Sequence, residues 1–219
     1  MLPPPSTSVA RSASAGGRRR QRARNGKSAR STRVDILKAA ARSFRRLGYH
    51  GATVEEIAAA LQMKKGNLYY YFRNKEEILF ACHQHSLDRL TELIDDVQRA
   101  AIGPDEKLRR LIAAFVHTIL DELHGTALFL DLEALSPPHL KIVIARRDRF
   151  ERGVRRLIED GIERGRFAPG DPKLLAFVLF GAVNWIPRWF KAEGPASSQE
   201  IADVFAEFFL RGLQRARNR

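Results

Sequence analysis

Apolar residues recur at three- and four-residue intervals along most of the chain, the spacing that places them on one face of a helix. Leu37, Ala40, Ala41, Phe44 and Leu47 predict a first helix over 32–47, ended by Gly48. Thr53 and Glu56 form a T-x-x-E capping box, in which hydroxyl and carboxylate each satisfy an orphan amide; Val54, Ile57, Ala58 and Leu61 follow on one face. After a break at Gln62-Met63, a short helix begins near Lys64 or Lys65 with Leu68 and Phe72 inward. Asn74 and Glu77 start a long helix that runs through Ile78, Leu79, Cys82, Leu90, Leu93, Ile94 and Val97 and stops before Gly103-Pro104. The same periodicity predicts helices over 105–123, 138–164, 174–191 and from Ser197 to the C-terminal end, plus a short one over 126–135 that is apolar nearly all round. Pro187 inside the 174–191 helix removes one hydrogen bond and predicts a kink. The fold class is therefore all-α, with about nine helices.

One stretch concentrates polar chemistry. Lys64, Lys65, Gly66, Asn67, Tyr69, Tyr70 and Tyr71 form a compact block on the short helix that follows the capped one. Two short helices joined by a tight turn, the second carrying basic, amide and phenolic groups, describe a helix-turn-helix whose second helix enters the DNA major groove by its N-terminal end. Free amides and the positive end of the helix dipole suit a phosphate there. Tyrosine offers a flat apolar body and a hydroxyl for a phosphate or a thymine methyl. Gly66 removes a side chain where the backbone approaches DNA. A solvated helical hairpin is the plainer alternative.

The stretch resembles the DNA-binding domain of TetR-family transcriptional regulators, whose pattern T-x-x-x-I-A, turn, K-G-x-L-Y-x-x-F-x-x-K-x-x-L stands here as Thr53, Ile57, Ala58, then Lys65-Gly66-Asn67-Leu68-Tyr69 through Phe72, Lys75 and Leu79. Two positions depart from it. Gln62 occupies the turn where the family has Gly, at a steric cost if φ is positive there. Tyr71 stands where His is common. The resemblance implies DNA contacts from Thr53, Lys64, Lys65, Gly66, Asn67, Tyr69, Tyr70, Tyr71 and Lys75, within a reading domain over 31–76.

Charge is consistent with a polyanionic partner. The 219 residues carry a formal net charge of +13. Residues 1–30 hold eight Lys or Arg and no acid, which leaves the remainder near +5. That Pro-, Ser-, Gly- and Arg-rich stretch has too little apolar surface to fold alone and is expected to be a disordered tail, either solvated or tracking DNA phosphates. A 44% hydrophobic content supports a real core. The single Cys82 excludes an intrachain disulfide and fits a cytoplasmic location. No apolar run approaches a membrane span, and no apolar core of a secretory signal follows the basic residues. Acyl-enzyme, Walker and zinc-protease motifs are absent, so no enzymatic activity, cofactor or metal is expected.

Residues 77–219 read as a second helical region. The two last long helices carry more aromatic surface than one small domain needs, and Phe177, Phe180, Phe205, Phe208 and Phe209 are candidates for an intersubunit bundle; a two-fold dimer suits a palindromic operator. The resemblance implies the same dimer interface, together with an inducer pocket among the middle helices, for which Phe115, Phe129, Leu132, Phe150, Trp185, Arg188 and Trp189 are the lining candidates. Trp185-Ile186-Pro187-Arg188-Trp189-Phe190 looks like the W-x-x-R-W-[FY] element of a TetR subgroup that senses acyl-CoA thioesters in lipid or sterol catabolism. Trp185, Arg188 and Trp189 share a face, suiting an acyl or planar group beside an anion. The basic face over 138–164 is either solvated or the mouth of an anion pocket. The function expected is a ligand-responsive repressor. The alternatives are an architectural DNA-binding protein without a ligand and a sensor of cationic hydrophobic drugs using Asp131 or Glu133.

Overall fold

A computed structural model of the chain describes residues 14–120, 131–191 and 193–214, with side chains from Thr32 onward. Among the described residues there are eight helices and no strand: α1 (Ser14–Gly51), α2 (Val54–Ala60), α3 (Lys65–Tyr69), α4 (Lys75–Arg99), α5 (Pro104–Leu120), α6 (Pro137–Glu163), α7 (Pro172–Trp189) and α8 (Ser198–Leu213). The all-α expectation holds, and the capping signals mark where helices start. Thr53 Oγ1 accepts the Glu56 amide at 3.1 Å while the Glu56 carboxylate accepts the Thr53 amide, also at 3.1 Å. Ser197 and Glu200 make the same reciprocal pair before α8. Asn74 caps α4 and Asp171 caps α7.

The helix bounds compare with the expected ones as follows. α1 is described from Ser14, inside the 1–30 stretch expected to be a tail. The break expected at Gly48 is present: its φ of 70° and ψ of 169° are non-helical and divide α1 there. Half of the short helix expected over 126–135 lies outside the described residues, and the described half, 131–135, forms a turn rather than helix. Pro187 sits in the last turn of α7, and the helix stops at Trp189, two residues beyond it.

Helices α1–α3 form a small head around Ile36, Ala40, Phe44, Ile57 and Leu68, all buried. The head continues into the rest of the molecule through α4, whose Ile78, Leu79 and Cys82 face α1 and whose Leu90, Leu93, Ile94 and Val97 face the helices beyond. α4 and α6 lie close: a Cβ on Gly153 of α6 would stand 2.4 Å from the Ile94 side chain, so only glycine admits this approach. α5 packs against α6, α7 and α8 and forms the centre of the second region.

Candidate functional site

The turn between α2 and α3 sets the exposed block. The Met63 amide bonds to Ala58 O at 2.9 Å and the Gln62 amide to Ala59 O at 3.0 Å, the two bonds of a Schellman motif. Gln62 takes the left-handed position of that motif, with φ of 53°. The motif turns the chain sharply into α3, which docks by the fully buried Leu68 and by Phe72; the Arg33 guanidinium lies 5.0 Å over the Phe72 ring. The opposite face of α3 points outward.

On that face the structure brings together most of the predicted residues. Lys64, Lys65, Gly66, Asn67, Tyr69 and Tyr70 are exposed, and Tyr70 is 86% exposed, an unusual position for a large aromatic side chain. Tyr71 is half-buried and meets Tyr70 edge-on at 5.3 Å. A Cβ on Gly66 would meet nothing within 4 Å, so no packing inside the chain demands glycine there. Lys65 pairs with Glu55 of α2 and sits 5.5 Å from the Tyr69 ring; the Glu55 hydrogen bond raises the lysine pKa and lowers that of the acid. Thr53 is exposed, its hydroxyl accepting the Glu56 amide.

Lys75 is placed otherwise than expected. Its ammonium donates to Tyr49 O at 2.7 Å and Ala52 O at 2.9 Å and lies 4.4 Å from the Tyr49 ring. It fastens the start of α4 to the end of α1, and its charge is spent on carbonyls of the chain itself. Spacing from α3 could not show this, because the carbonyls come from residues 23–26 positions earlier.

The predicted ligand set is divided. Phe115 and Phe150 are buried and cluster with Phe180, with ring centroids 5.2–5.9 Å apart. Leu132 is half-buried in the turn before α6, and Phe129 lies outside the described residues. Trp185 and Trp189 face outward, 60% and 46% exposed, with the Arg188 guanidinium 5.4 Å from the Trp185 ring. α7 is apolar nearly all round, so periodicity alone cannot select its inner stripe; Ala176, Leu179, Val183 and Ile186 take it, and the tryptophans fall outside.

Phe180 is half-buried and stands against Phe115 and Phe150. Phe177 and Phe208 are exposed as a docking face requires, whereas Phe205 and Phe209 are half-buried against the core. Leu174, Phe177, Val178, Trp185 and Trp189 of α7, with Val204 and Phe208 of α8, leave a broad apolar surface uncovered. The two helices flank a small apolar hollow of about 160 Å³.

Three arginines of α6 pair with acids, two of which are on α4. Arg146 pairs with Asp88 at 2.6 Å, Arg149 with Asp95 at 3.0 Å, and Arg155 with Glu151 within its own helix at 2.6 Å. Two features escaped sequence reasoning. One is a cleft of about 430 Å³ between head and core, lined by Arg33, Tyr71, Phe80, Gln84, Asp88 and His139. The other is His83, fully buried with neither ring nitrogen hydrogen-bonded; burial, then the Arg147 charge, push its pKa down to about 4. His83 lies on the inner face of α4 beside Cys82 and Ser86.

Comparison with known proteins matches both halves of this architecture. Residues 36–82 match the family described as bacterial regulatory proteins, tetR family, and residues 101–213 match the tetracyclin repressor-like C-terminal domain. The repressor KstR2 of Mycolicibacterium smegmatis is 26% identical over 190 residues, covering 85% of this chain and 92% of that protein. The crystal structure of the regulator PfmR from Thermus thermophilus superposes with a TM-score of 0.74 at 32% identity, covering 82% of this chain and 99% of that one. The structure of AibR in complex with isovaleryl coenzyme A and operator DNA superposes with a TM-score of 0.70 at 29% identity, covering 80% of this chain and 96% of that one. No helix among the described residues is long and apolar enough to cross a membrane.

Proposed function

The chain belongs to the TetR family of bacterial regulatory proteins, and on that premise we propose that it is a repressor that binds a palindromic operator as a two-fold dimer and is released by a small-molecule inducer. The observation that carries the DNA half is the outward face of α3, where Lys64, Asn67, Tyr69 and the 86% exposed Tyr70 surround a glycine that nothing inside the chain requires. Such a face presents phosphate ligands, an amide able to read a base edge and flat apolar groups on one short rod. Lys75 has no part in it.

The apolar surface of α7 and α8 supports the dimer. Phe177, Trp185, Trp189, Val204 and Phe208 are large apolar groups left in water on two neighbouring elements of the chain, and a partner that covers them would be stabilised by their burial. A second copy related by two-fold symmetry covers each such face with the other and sets two heads for two half-sites. For the inducer, an acyl-CoA thioester is the reading best supported, because the AibR relative is bound to isovaleryl coenzyme A. Any such ligand would be held among α4–α7 by groups other than the outward-facing tryptophans.

The test begins by selecting duplexes from a random-sequence pool with the full chain. The selected site should be palindromic. Asn67→Ala and Tyr70→Phe should weaken its binding about tenfold, near 1.4 kcal/mol each, with helicity and dimer mass unchanged. Lys64→Ala should reduce the slope of log affinity against log salt by about one. Isovaleryl coenzyme A serves as the probe for release. Selection of no duplex, or full affinity in all three variants, rejects the DNA assignment.

A further inference from the structure

Three consecutive residues open α4, and each is tied to a different part of the molecule. Lys75 donates to the end of α1. Glu77 accepts the Arg73 amide at 2.8 Å while its own amide bonds to Asn74 Oδ1 at 2.8 Å, which fixes the turn out of α3. Glu76 reaches across to the second region. Its Oε1 accepts the Ser136 amide at 2.9 Å, and its carboxylate accepts from His139 Nδ1 at 2.8 and 3.0 Å.

The start of α6 explains why it needs an acid from elsewhere. Ser136 is the N-cap but its hydroxyl makes no capping bond. Pro137 and Pro138 follow, so the first turn of α6 has two fewer N–H groups than usual. The Glu76 carboxylate takes the Ser136 amide, at the positive end of the α6 dipole. His139 is held in turn by a stacked contact with Phe80, one helical turn beyond Glu76, with ring centroids 3.8 Å apart and planes 6° from parallel. Burial pushes the Glu76 pKa up, but the Ser136 amide and His139 outweigh it and hold the carboxyl below its ordinary value. Glu76 and His139 are 20% and 28% exposed.

We infer that Glu76 and His139 are a positioning pair that fixes the bearing of the DNA-reading head on the core, and so the spacing of the two heads in the dimer. The head meets the rest of the molecule chiefly through α4. A single helix leaves its end free to swing, and a charged strap from its first turn to the start of α6 removes that freedom. The pair touches neither α3's outward face nor the apolar face of α7 and α8. Its effect therefore falls on geometry between heads and not on the contacts either head makes. This inference rests on the proposed dimeric operator binding.

The experiment uses the full chain and the duplex it selects, together with a single half-site and a duplex in which one base pair is inserted between half-sites. Glu76→Ala and His139→Ala should each weaken full-site binding about tenfold, within the range of allosteric coupling. The double variant should lose little more than either single one. Half-site affinity should stay at the wild-type level, and discrimination against the inserted base pair should shrink. His139→Asn keeps a donor where Nδ1 stood and should restore full-site binding. The pair is merely structural, and the inference wrong, if half-site and full-site affinities fall together with thermal stability. Unchanged full-site binding and unchanged spacing discrimination in both alanine variants also overturn it. If the wild-type chain selects no duplex, the failure belongs to the proposed function and removes the basis of this inference with it.

Discussion

His83 shows what one residue costs when it is buried without partners. It is fully buried, its two nitrogens make no hydrogen bond, and its pKa is pushed from 6.5 down to about 4 by burial and by Arg147. Between those pH values the unfolded chain binds a proton that the folded chain refuses. Stability is therefore lost as pH falls from about 6.5 toward 4, and the contribution between pH 7 and pH 5 is about 2 kcal/mol. His83→Leu should unfold in urea at a higher concentration than wild type at pH 5, with a smaller difference at pH 7. An equal pH dependence in both proteins would show that another group controls it. Nothing in the sequence announced that no polar partner would meet His83, because partners come from other helices. Lys75 is the same lesson reversed: a motif position that reads as a DNA contact is claimed by carbonyls of α1.

At the scale of the element, helix starts were legible and helix facing was not always so. The capping boxes at Thr53 and Ser197 and the caps at Asn74 and Asp171 are local, so residue type and spacing reveal them. α7 was the opposite case. Its apolar residues surround the helix, and only packing against α5 and α6 decides that Phe180 turns in while Trp185 turns out. The Schellman turns give a direct test of backbone cost. The end of α6 uses Gly165 at φ 67°, and the end of α2 uses Gln62 at φ 53° in the equivalent place. A left-handed non-glycine residue costs about 1–2 kcal/mol, partly offset because glycine loses about 0.5–1 kcal/mol more conformational entropy on folding. Gln62→Gly should therefore stabilise the chain by about 0.5–1 kcal/mol and raise the melting temperature by about 2 °C. Gly165→Ala should destabilise it by a similar amount. Calorimetry of the two variants checks both signs, and a lower melting temperature for Gln62→Gly would mean that its side chain makes a compensating contact.

At the scale of the molecule, the aromatic residues of α5–α8 fall into an inner and an outer group. Phe115, Phe150 and Phe180 close the interior, while Phe177, Trp185, Trp189 and Phe208 remain outside. If the outer group is a two-fold interface, each substitution on it acts twice, because the same patch serves both copies. Phe208 is 73% exposed, so an acid there costs the isolated chain little. In a dimer it would bury a charge in an apolar contact, and Phe208→Asp should weaken association about a hundredfold or more, a hot-spot effect. Operator binding should fall with it, since one head alone spans one half-site. Phe180→Ala should do the reverse, destabilising the fold by about 3 kcal/mol through the cavity it leaves while the protein stays dimeric. Sedimentation equilibrium and thermal unfolding on the two variants separate these effects. A Phe208→Asp chain that remains dimeric at micromolar concentration would place the interface elsewhere, and the exposed tryptophans would then need another partner.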